Sequence, residues 1–462
     1  MTRNVRLLFT PEVFQTVKAH LFPGDEYEHA GVLLCGWSQA ADRVILTVRE
    51  FLPARDGIEY TVSPEMHGRI EPLFIDDCLS QAQEQGLCYI AIHNHLSEDW
   101  VAFSKVDFRS HDYGYPTLLR LNKGLPVGAA VFGTNSIEVD LWMPEGTRHQ
   151  LAEARVIGSR ITHLWASTAH APVSNDVKPY DRQLPFLRNV GQGLLSRAKV
   201  VIVGVGGLGS QLLEPLVRLG VRRFVLIDPD RIESTNYSRL HGARPSDLRG
   251  EGMLKVTIAA RLIKEIAPDA EVLALPADVA KGDVHQHMIS ADFVVLAADT
   301  PEARLTCNAV AQQYYVPMIQ VGTKVQVRPD GRLEGVFGAV RHVRPGDGCL
   351  WCNGLIDRAG LANAAKTKDQ REAEKYGVDT PNPAVVTFNA EVAGRTLNEL
   401  LLAYVTSSGD LTRYPAYMLI DLLSGEREVI SPTKEVGCPF CGTQAGGFLG
   451  ASNSRRTPVV ST

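Results

Sequence analysis

Two rhythms of apolar and polar residues divide this chain. GVLLCGW (31–37), RVILTVREFL (43–52), LCYIAIHNH (87–95) and GAAVFG (128–133) are dense apolar runs of strand length. Between them, PEMHGRIEPLFIDDCLSQAQEQG (64–86) places its apolar residues at helical spacing. Residues 1–150 are therefore expected to form an α+β domain around a central sheet. RHQLAEARVIGSRI then reads as a helix and STAHAPVSND as a small, polar linker, so 151–177 is expected to be a linker helix and loop. From 178 to 445 the rhythm changes: KVVIVGV, RRFVLIDPD, EVLALPA and DFVVLAAD alternate with helical segments, the mark of a doubly wound parallel sheet of α/β class. Residues 446–462, GGFLGASNSRRTPVVST, are small and polar and are expected to be disordered.

Length and composition agree with two domains, with three as the alternative. A chain of 462 residues exceeds one ordinary core, and 45% hydrophobic with 21% charged residues is a globular balance. A formal net charge of -5 gives no electrostatic case for nucleic acid or an anionic membrane surface. The first residues, MTRNVRLLFTPEVF, lack the apolar core of a secretion signal, and no apolar run reaches bilayer-spanning length. A soluble, cytoplasmic protein is the expectation.

Four of the eight cysteines form two pairs, CLWC (Cys349, Cys352) and CPFC (Cys438, Cys441). In a reducing compartment such pairs point to metal, and four thiolates suit a closed, structural Zn²⁺ site. A redox pair is the competing reading. GVGGLGS, between a strand and a helix, sets Gly204, Gly206 and Gly209 in the G-x-G-x-x-G pattern, whose glycines allow a tight turn and close approach to phosphate. Asp228 ends the next strand, nineteen residues after Gly209, where a carboxylate reaches a ribose hydroxyl. Alone, this pattern fits a dehydrogenase equally well.

The residues around the glycine loop are more specific. YDRQ (180–183), DPDRIESTNYSR (228–239), GMLKV with Lys255, and DTPEARLTCN (299–308) occur in the order found in the adenylating enzymes that activate ubiquitin-like proteins, the ThiF and ubiquitin-activating type, which residues 178–442 resemble. The resemblance implies that Arg182, Asn236, Arg239 and Lys255 meet the ATP phosphates and that Asp228 takes the ribose. It also implies that Asp299 lies near Mg²⁺ with Arg304 and Asn308 in support, and that the split cysteine pairs hold zinc. Such a cationic surround suits adenylation, in which a carboxylate attacks an anionic phosphate and pyrophosphate leaves. Thr300 stands where the family often has Asn. Many relatives carry a thioester-forming cysteine in the stretch matching 356–393, which here contains none; Cys307 reads as buried packing.

HNHLSEDWVAFSKVD (93–107) suggests a second metal site. His93 and His95 leave one face of a strand, and Asp107 completes three ligands with one position open, as in catalytic zinc. Ser104 is placed to steady an oxyanion, and Glu28 is the candidate base for the attacking water. Glu, His-x-His, Ser and Asp in this order resemble the JAB/JAMM metalloproteases, which trim or remove ubiquitin-like proteins; Leu96 replaces the usual proline. His111 and His163 read as surface or packing histidines, and Trp100 as a packing residue ahead of a cover for substrate.

Together the resemblances imply one partner for both domains, a ubiquitin-like or ThiS/MoaD-like sulfur-carrier protein ending in glycine. The cofactors would be ATP, Mg²⁺ and two Zn²⁺, one catalytic and one structural. A homodimer and a separate conjugating protein or sulfur donor are implied by resemblance alone. Adenylation of a peptide or tRNA, a dehydrogenase, and a non-catalytic binding scaffold remain the alternatives.

Overall fold

The computed structural model describes the chain except residues 1–3, 41–42, 63–67, 175–177, 329, 357–358, 360, 362–382, 406–416, 445 and 460–462. Two units emerge: Met1–Ala171 with Gln312–Tyr315 and Gly442–Arg456, and Pro172–Ala311 with Val316–Cys441 and Thr457–Thr462.

The first unit contains strands β1 (Asn4–Phe9), β2 (Ala30–Gln39), β3 (Arg43–Pro53), β4 (Tyr60–Val62), β5 (Gly68–Ile70), β6 (Cys88–Asn94), β7 (Val127–Phe132), β8 (Ile137–Trp142), β9 (Arg148–Ile157) and β10 (Ile161–Leu164), with helices α1 (Pro11–Leu21), α2 (Pro72–Gln85) and α3 (Lys105–Leu121). Eight strands run β1-β3-β2-β6-β7-β8-β9-β10, and β9 also pairs with β1, so the sheet closes on itself. Successive residues of β2 enter different clusters: Leu33 and Cys35 pack with Val5, Leu46 and Ile90, whereas Val32 and Leu34 pack with Leu79, Tyr89 and Val127. Both faces of the sheet are therefore covered, which explains the unbroken apolar runs. Each fully buried Leu or Val is worth about 1.5–3 kcal/mol.

The second unit has β11 (Lys199–Val203), β12 (Arg223–Ile227), β13 (Glu271–Leu275), β14 (Phe293–Leu296), β15 (Met318–Val327), β16 (Leu333–Val343), β17 (Tyr417–Asp421) and β18 (Arg427–Ile430). Its helices are α4 (Leu184–Arg197), α5 (Leu213–Arg218), α6 (Ser234–Tyr237), α7 (Lys255–Ile266), α8 (Gln286–Ile289), α9 (Pro301–Gln313) and α10 (Val386–Tyr404). The sheet order is β13-β12-β11-β14-β15-β16-β17-β18. The first five strands are parallel and the last three are added antiparallel. Strand order reverses between β11 and β14, and the crevice beyond their carboxyl ends is where open α/β sheets bind ligands. No helix among the described residues is long and apolar enough to cross a membrane.

Three local expectations are corrected. Residues 148–157 form β9 rather than a helix, because pairing with β1 and β8 overrides the helix-favouring Leu, Ala, Glu and Arg of that stretch. The helix expected over 64–86 starts only at Pro72, after β5. The segment after 446 is not a disordered tail in its described part. Thr47 Oγ1 lies 2.8 Å from Gly450 O and 2.9 Å from Ser452 Oγ, Arg49 Nη1 donates to Gly447 O and Leu449 O, and Ser452 is fully buried. Its small residues serve close approach: a Cβ on Gly36 would stand 2.3 Å from Gly450 O.

Thr47→Val leaves that carbonyl without its partner and is expected to cost about 1–3 kcal/mol, a fall in Tm of about 2–4 °C per kcal/mol. Truncation before Gly446 should lower Tm as well, and the two changes together should be less than additive. Calorimetry showing no change for either would contradict the docked tail.

Candidate functional site

In the second unit, β11 ends at Val203 and the chain turns sharply. Gly204 has φ +88°, and a Cβ on Gly209 would meet Gly204 O at 1.9 Å, so the turn closes only with glycine at both positions. Gly206 faces open space. Above the loop lies a cavity of about 390 Å³. Its lining brings together Gly204, Gly206, Asp228, Arg239, Lys255, Asp299 and Arg304 as anticipated, and leaves out Arg182, Gly209, Asn236 and Asn308.

Asp228 is buried, and its two carboxylate oxygens accept the N–H groups of Val205 (2.7 Å) and Asp230 (2.9 Å), which tie β12 to the glycine loop. Burial raises its pKa while Lys255 and the two backbone donors oppose that rise. Lys255, the first residue of α7, donates from Nζ to Asp230 at 2.7 Å. Arg239 Nη1 donates to Thr235 O at 2.7 Å. Arg304 Nη1 reaches Leu355 O at 3.5 Å, and burial lowers its pKa against the pull of Asp299. Asp228, Asp230, Asp278 and Asp299 thus outnumber Arg239, Lys255 and Arg304 in the lining.

The residues outside the cavity have other work. Asn236 Oδ1 accepts from Glu233 N in the cap of the short helix α6, and Asn308 Oδ1 accepts from Leu350 N, between the cysteines of CLWC. Arg182 is exposed. Thr300, which does line the cavity, also caps α9 by accepting Ala303 N (3.3 Å). Sequence reasoning missed Asp278, Thr323 and Asn389, which also line the cavity; Thr323 Oγ1 donates to Asn389 Oδ1 at 2.7 Å. Asn389 arrives on α10, too far along the chain for any local motif to announce it.

All four pair cysteines are buried and gather into one cluster. Sulfur separations are 3.8 Å for Cys349–Cys352 and Cys349–Cys438, and 3.5 Å for Cys352–Cys441. Tetrahedral zinc with bonds of about 2.3 Å sets its sulfurs about 3.8 Å apart, so this donor set fits the ion. Cys307 is fully buried, and burial raises its thiol pKa, in keeping with a packing role. The segment 362–382, within the stretch considered for a thioester cysteine, lies outside the described residues.

In the first unit, His93, His95 and Asp107 form a second cluster whose ligand atoms lie within 4.8 Å of one another. His93 ends up near the close of β6, and His95 follows it, held by its N–H to Phe132 O (2.8 Å). The two Nε2 atoms are 3.3 Å apart, and His93 Nε2 is 3.8 Å from Asp107 Oδ1. Zinc bonds of about 2.0–2.1 Å at tetrahedral angles place donors about 3.3 Å apart, so three donors fit around one ion. Burial holds His93 down to a pKa of about 4 despite Asp107, which keeps the imidazole neutral.

Ser104 and Asp107 form a capping box at the start of α3: Asp107 N donates to Ser104 Oγ (3.2 Å), and Ser104 N donates to Asp107 Oδ2 (2.7 Å). The cap occupies Oδ2 and turns Oδ1 toward His93. Glu28 Oε1 stands 3.7 Å from His95 Nε2, and Tyr60 OH donates to Glu28 Oε2 at 3.3 Å. Trp100 does not pack: it is 63% exposed, on a loop fixed by Val101 N to Ala166 O and Thr168 N to Asp99 O. His111 is buried and hydrogen-bonded to Asp140 (2.8 Å), and His163 lies 3.5 Å from Glu153, so each sits against a carboxylate of its own unit.

Cys352→Ser is expected to remove one zinc per chain and lower Tm, because structural zinc contributes to folding. Full zinc retention by this variant, measured by plasma emission, would contradict a four-thiolate site.

Comparison with known proteins places the second unit. The chain is 29% identical over 286 residues to the sulfur carrier protein ThiS adenylyltransferase of Bacillus subtilis (strain 168), covering 61% of this chain and 76% of that one. It is 25% identical over 287 residues to ubiquitin-like modifier-activating enzyme 5 of Drosophila willistoni, covering 59% of this chain and 64%, just under two thirds, of the relative. Among solved structures, E. coli MccB with MccA-N7isoASN aligns at 20% identity and a TM-score of 0.46, over 58% of this chain and 76% of that one. The ThiF family matches residues 180–440, more than half of the chain, and the chain belongs to that family.

Proposed function

We propose that the second unit transfers AMP from ATP to the C-terminal glycine carboxylate of a ubiquitin-like or sulfur-carrier protein. The observation that carries this reading is the cavity itself: Arg239, Lys255 and Arg304 converge with Asp299 over a glycine loop in a chain of the ThiF family. The names of the B. subtilis and Drosophila relatives supply the substrate class. In the reaction, a carboxylate oxygen bonds to the α-phosphorus as the bond to the bridging oxygen breaks, and pyrophosphate leaves with that electron pair. Arg239 and Lys255 would hold the charge developing on the phosphates, and Asp228 would fix the loop against which they lie. Carboxylates outnumber cations in the lining, so a bare tetra-anion is poorly matched; Mg²⁺ held near Asp299 would supply the missing positive charge.

The first unit, in this reading, is a JAB/JAMM-type zinc peptidase acting on the same partner, either trimming it to its glycine or releasing it from conjugates. Zinc, when bound by His93, His95 and Asp107, would act as a Lewis acid toward the scissile carbonyl. Glu28 would take the proton of the attacking water, with its second oxygen held by Tyr60. Ser104 would have only its hydroxyl proton to offer an oxyanion, since its oxygen accepts the N–H of Asp107. Joining both activities in one chain raises the local concentration of trimmed product near the activating site.

Purified chain with Mg-ATP should release pyrophosphate only when a small glycine-terminated protein is added. Lys255→Ala and Asp299→Asn should each slow that release about 10²-fold or more. Unchanged rates in both variants would contradict the roles given to these residues.

A further inference from the structure

Asn94 stands between the two metal-site histidines, where sequence pattern treats it as a spacer. Its side chain is completely buried, and both ends are engaged. Oδ1 accepts the N–H of His29 at 2.6 Å, and Nδ2 donates to the carbonyl of Tyr27 at 3.4 Å. Its backbone N–H also donates to His29 O at 3.3 Å. The ladder between β2 and β6 ends at the pair Ala30↔His93. Beyond that pair, the amide of Asn94 takes over as a substitute rung and carries the pairing across residues 27–29.

Glu28 is the residue between those two bonded backbone groups. Its position relative to His95 therefore depends on how firmly Tyr27 and His29 are held. The His29 ring adds a second tether, 2.7 Å from Asp56 and 3.0 Å from Asp25. These contacts fix the flanks, and Tyr60 OH fixes one oxygen of Glu28, leaving Oε1 on the side of His95. A primary amide is the one side chain of this size offering a donor and an acceptor in one plane. Aspartate would lack the donor for Tyr27 O, and alanine would lack both groups.

We propose that Asn94 is a positioning residue for Glu28: it locks the Glu28 segment to the histidine strand and so sets the base against the metal site without ligating the ion. The proposal rests on the reading of His93, His95 and Asp107 as a metal site. Moving a carboxylate that stands beside the ligands changes the electronic environment of a bound metal, which gives a readout independent of any protein substrate.

The test uses the full-length protein with zinc retained at the cysteines and Co²⁺ titrated into the first unit. Visible absorption is compared for the wild type, Glu28→Gln, Asn94→Ala and Asn94→Asp. The expected result is one Co²⁺ bound in all four, a Glu28→Gln spectrum distinct from wild type, and an Asn94→Ala spectrum displaced toward that of Glu28→Gln. Asn94→Asp, which keeps the acceptor for His29, should be displaced less. An Asn94→Ala spectrum like the wild type, with Glu28→Gln distinct, overturns the inference while leaving the metal site standing. Loss of Co²⁺ from both Asn94 variants also overturns it, since Asn94 would then support the ligands rather than the base. A Glu28→Gln spectrum equal to wild type removes Glu28 from the site. A wild type that binds no Co²⁺ at the histidines contradicts the metal-site reading itself.

Discussion

The carboxylate of Asp228 joins two parts of the chain that must be registered for the nucleotide cavity to exist. By accepting the N–H groups of Val205 and Asp230, it fixes the glycine loop after β11 against the turn after β12. The cationic side of the lining contributed by α6 and α7 follows from that junction, whereas Asp299, Arg304 and Asn389 arrive on later segments. Asp230 holds Lys255, whose helix α7 starts at that residue, and the short α6 carries the chain to Arg239. A buried carboxylate is costly unless its oxygens are bonded, and two backbone donors plus a nearby lysine offset that cost here. The glycines answer the same constraint from the other side: the loop must pass so close to itself that no Cβ fits at Gly209.

The first unit follows a similar logic, in which hydrogen bonds to one carboxylate oxygen aim the other. Asp107 gives one oxygen to the N-terminus of α3 and presents the other to His93. Glu28 gives one oxygen to Tyr60 and presents the other to His95. In each case a structural hydrogen bond removes a rotational choice from the carboxylate. Trp100 and Leu96, 63% and 60% exposed, stand on the anchored loop that follows the histidines, so apolar surface is displayed beside the cluster rather than withdrawn from it.

Most of the apolar strands were legible in the sequence because they are buried on both faces, and both candidate metal clusters were legible because Cys-x-x-Cys and His-x-His are chemically distinctive local patterns. The sequence misled at β9, where local composition favours helix and only pairing with distant β1 decides otherwise. It misled after residue 446, where small polar residues signify close packing against Gly36 and Thr47 instead of disorder. Order along the chain named Arg239, Lys255 and Asp299, which line the cavity, and Asn236 and Asn308, which do not and whose amides meet a helix cap and the cysteine loop. A motif records which residues occur together; it does not record which way an amide faces. Asn389 and Asn94 show the converse, residues without a motif whose contacts place them in or beside a site.

The claim on which the account turns is that the crevice between β11 and β14 is built for a metal-complexed triphosphate rather than for a nicotinamide dinucleotide. Calorimetric titration of the purified chain with Mg-ATP and, separately, with NAD and NADP measures this directly. The account predicts saturable Mg-ATP binding that weakens when Mg²⁺ is withheld and when Arg239 is replaced by Ala, with no comparable heat from either dinucleotide. Tighter binding of NAD or NADP, or ATP binding indifferent to both Mg²⁺ and Arg239, would contradict it.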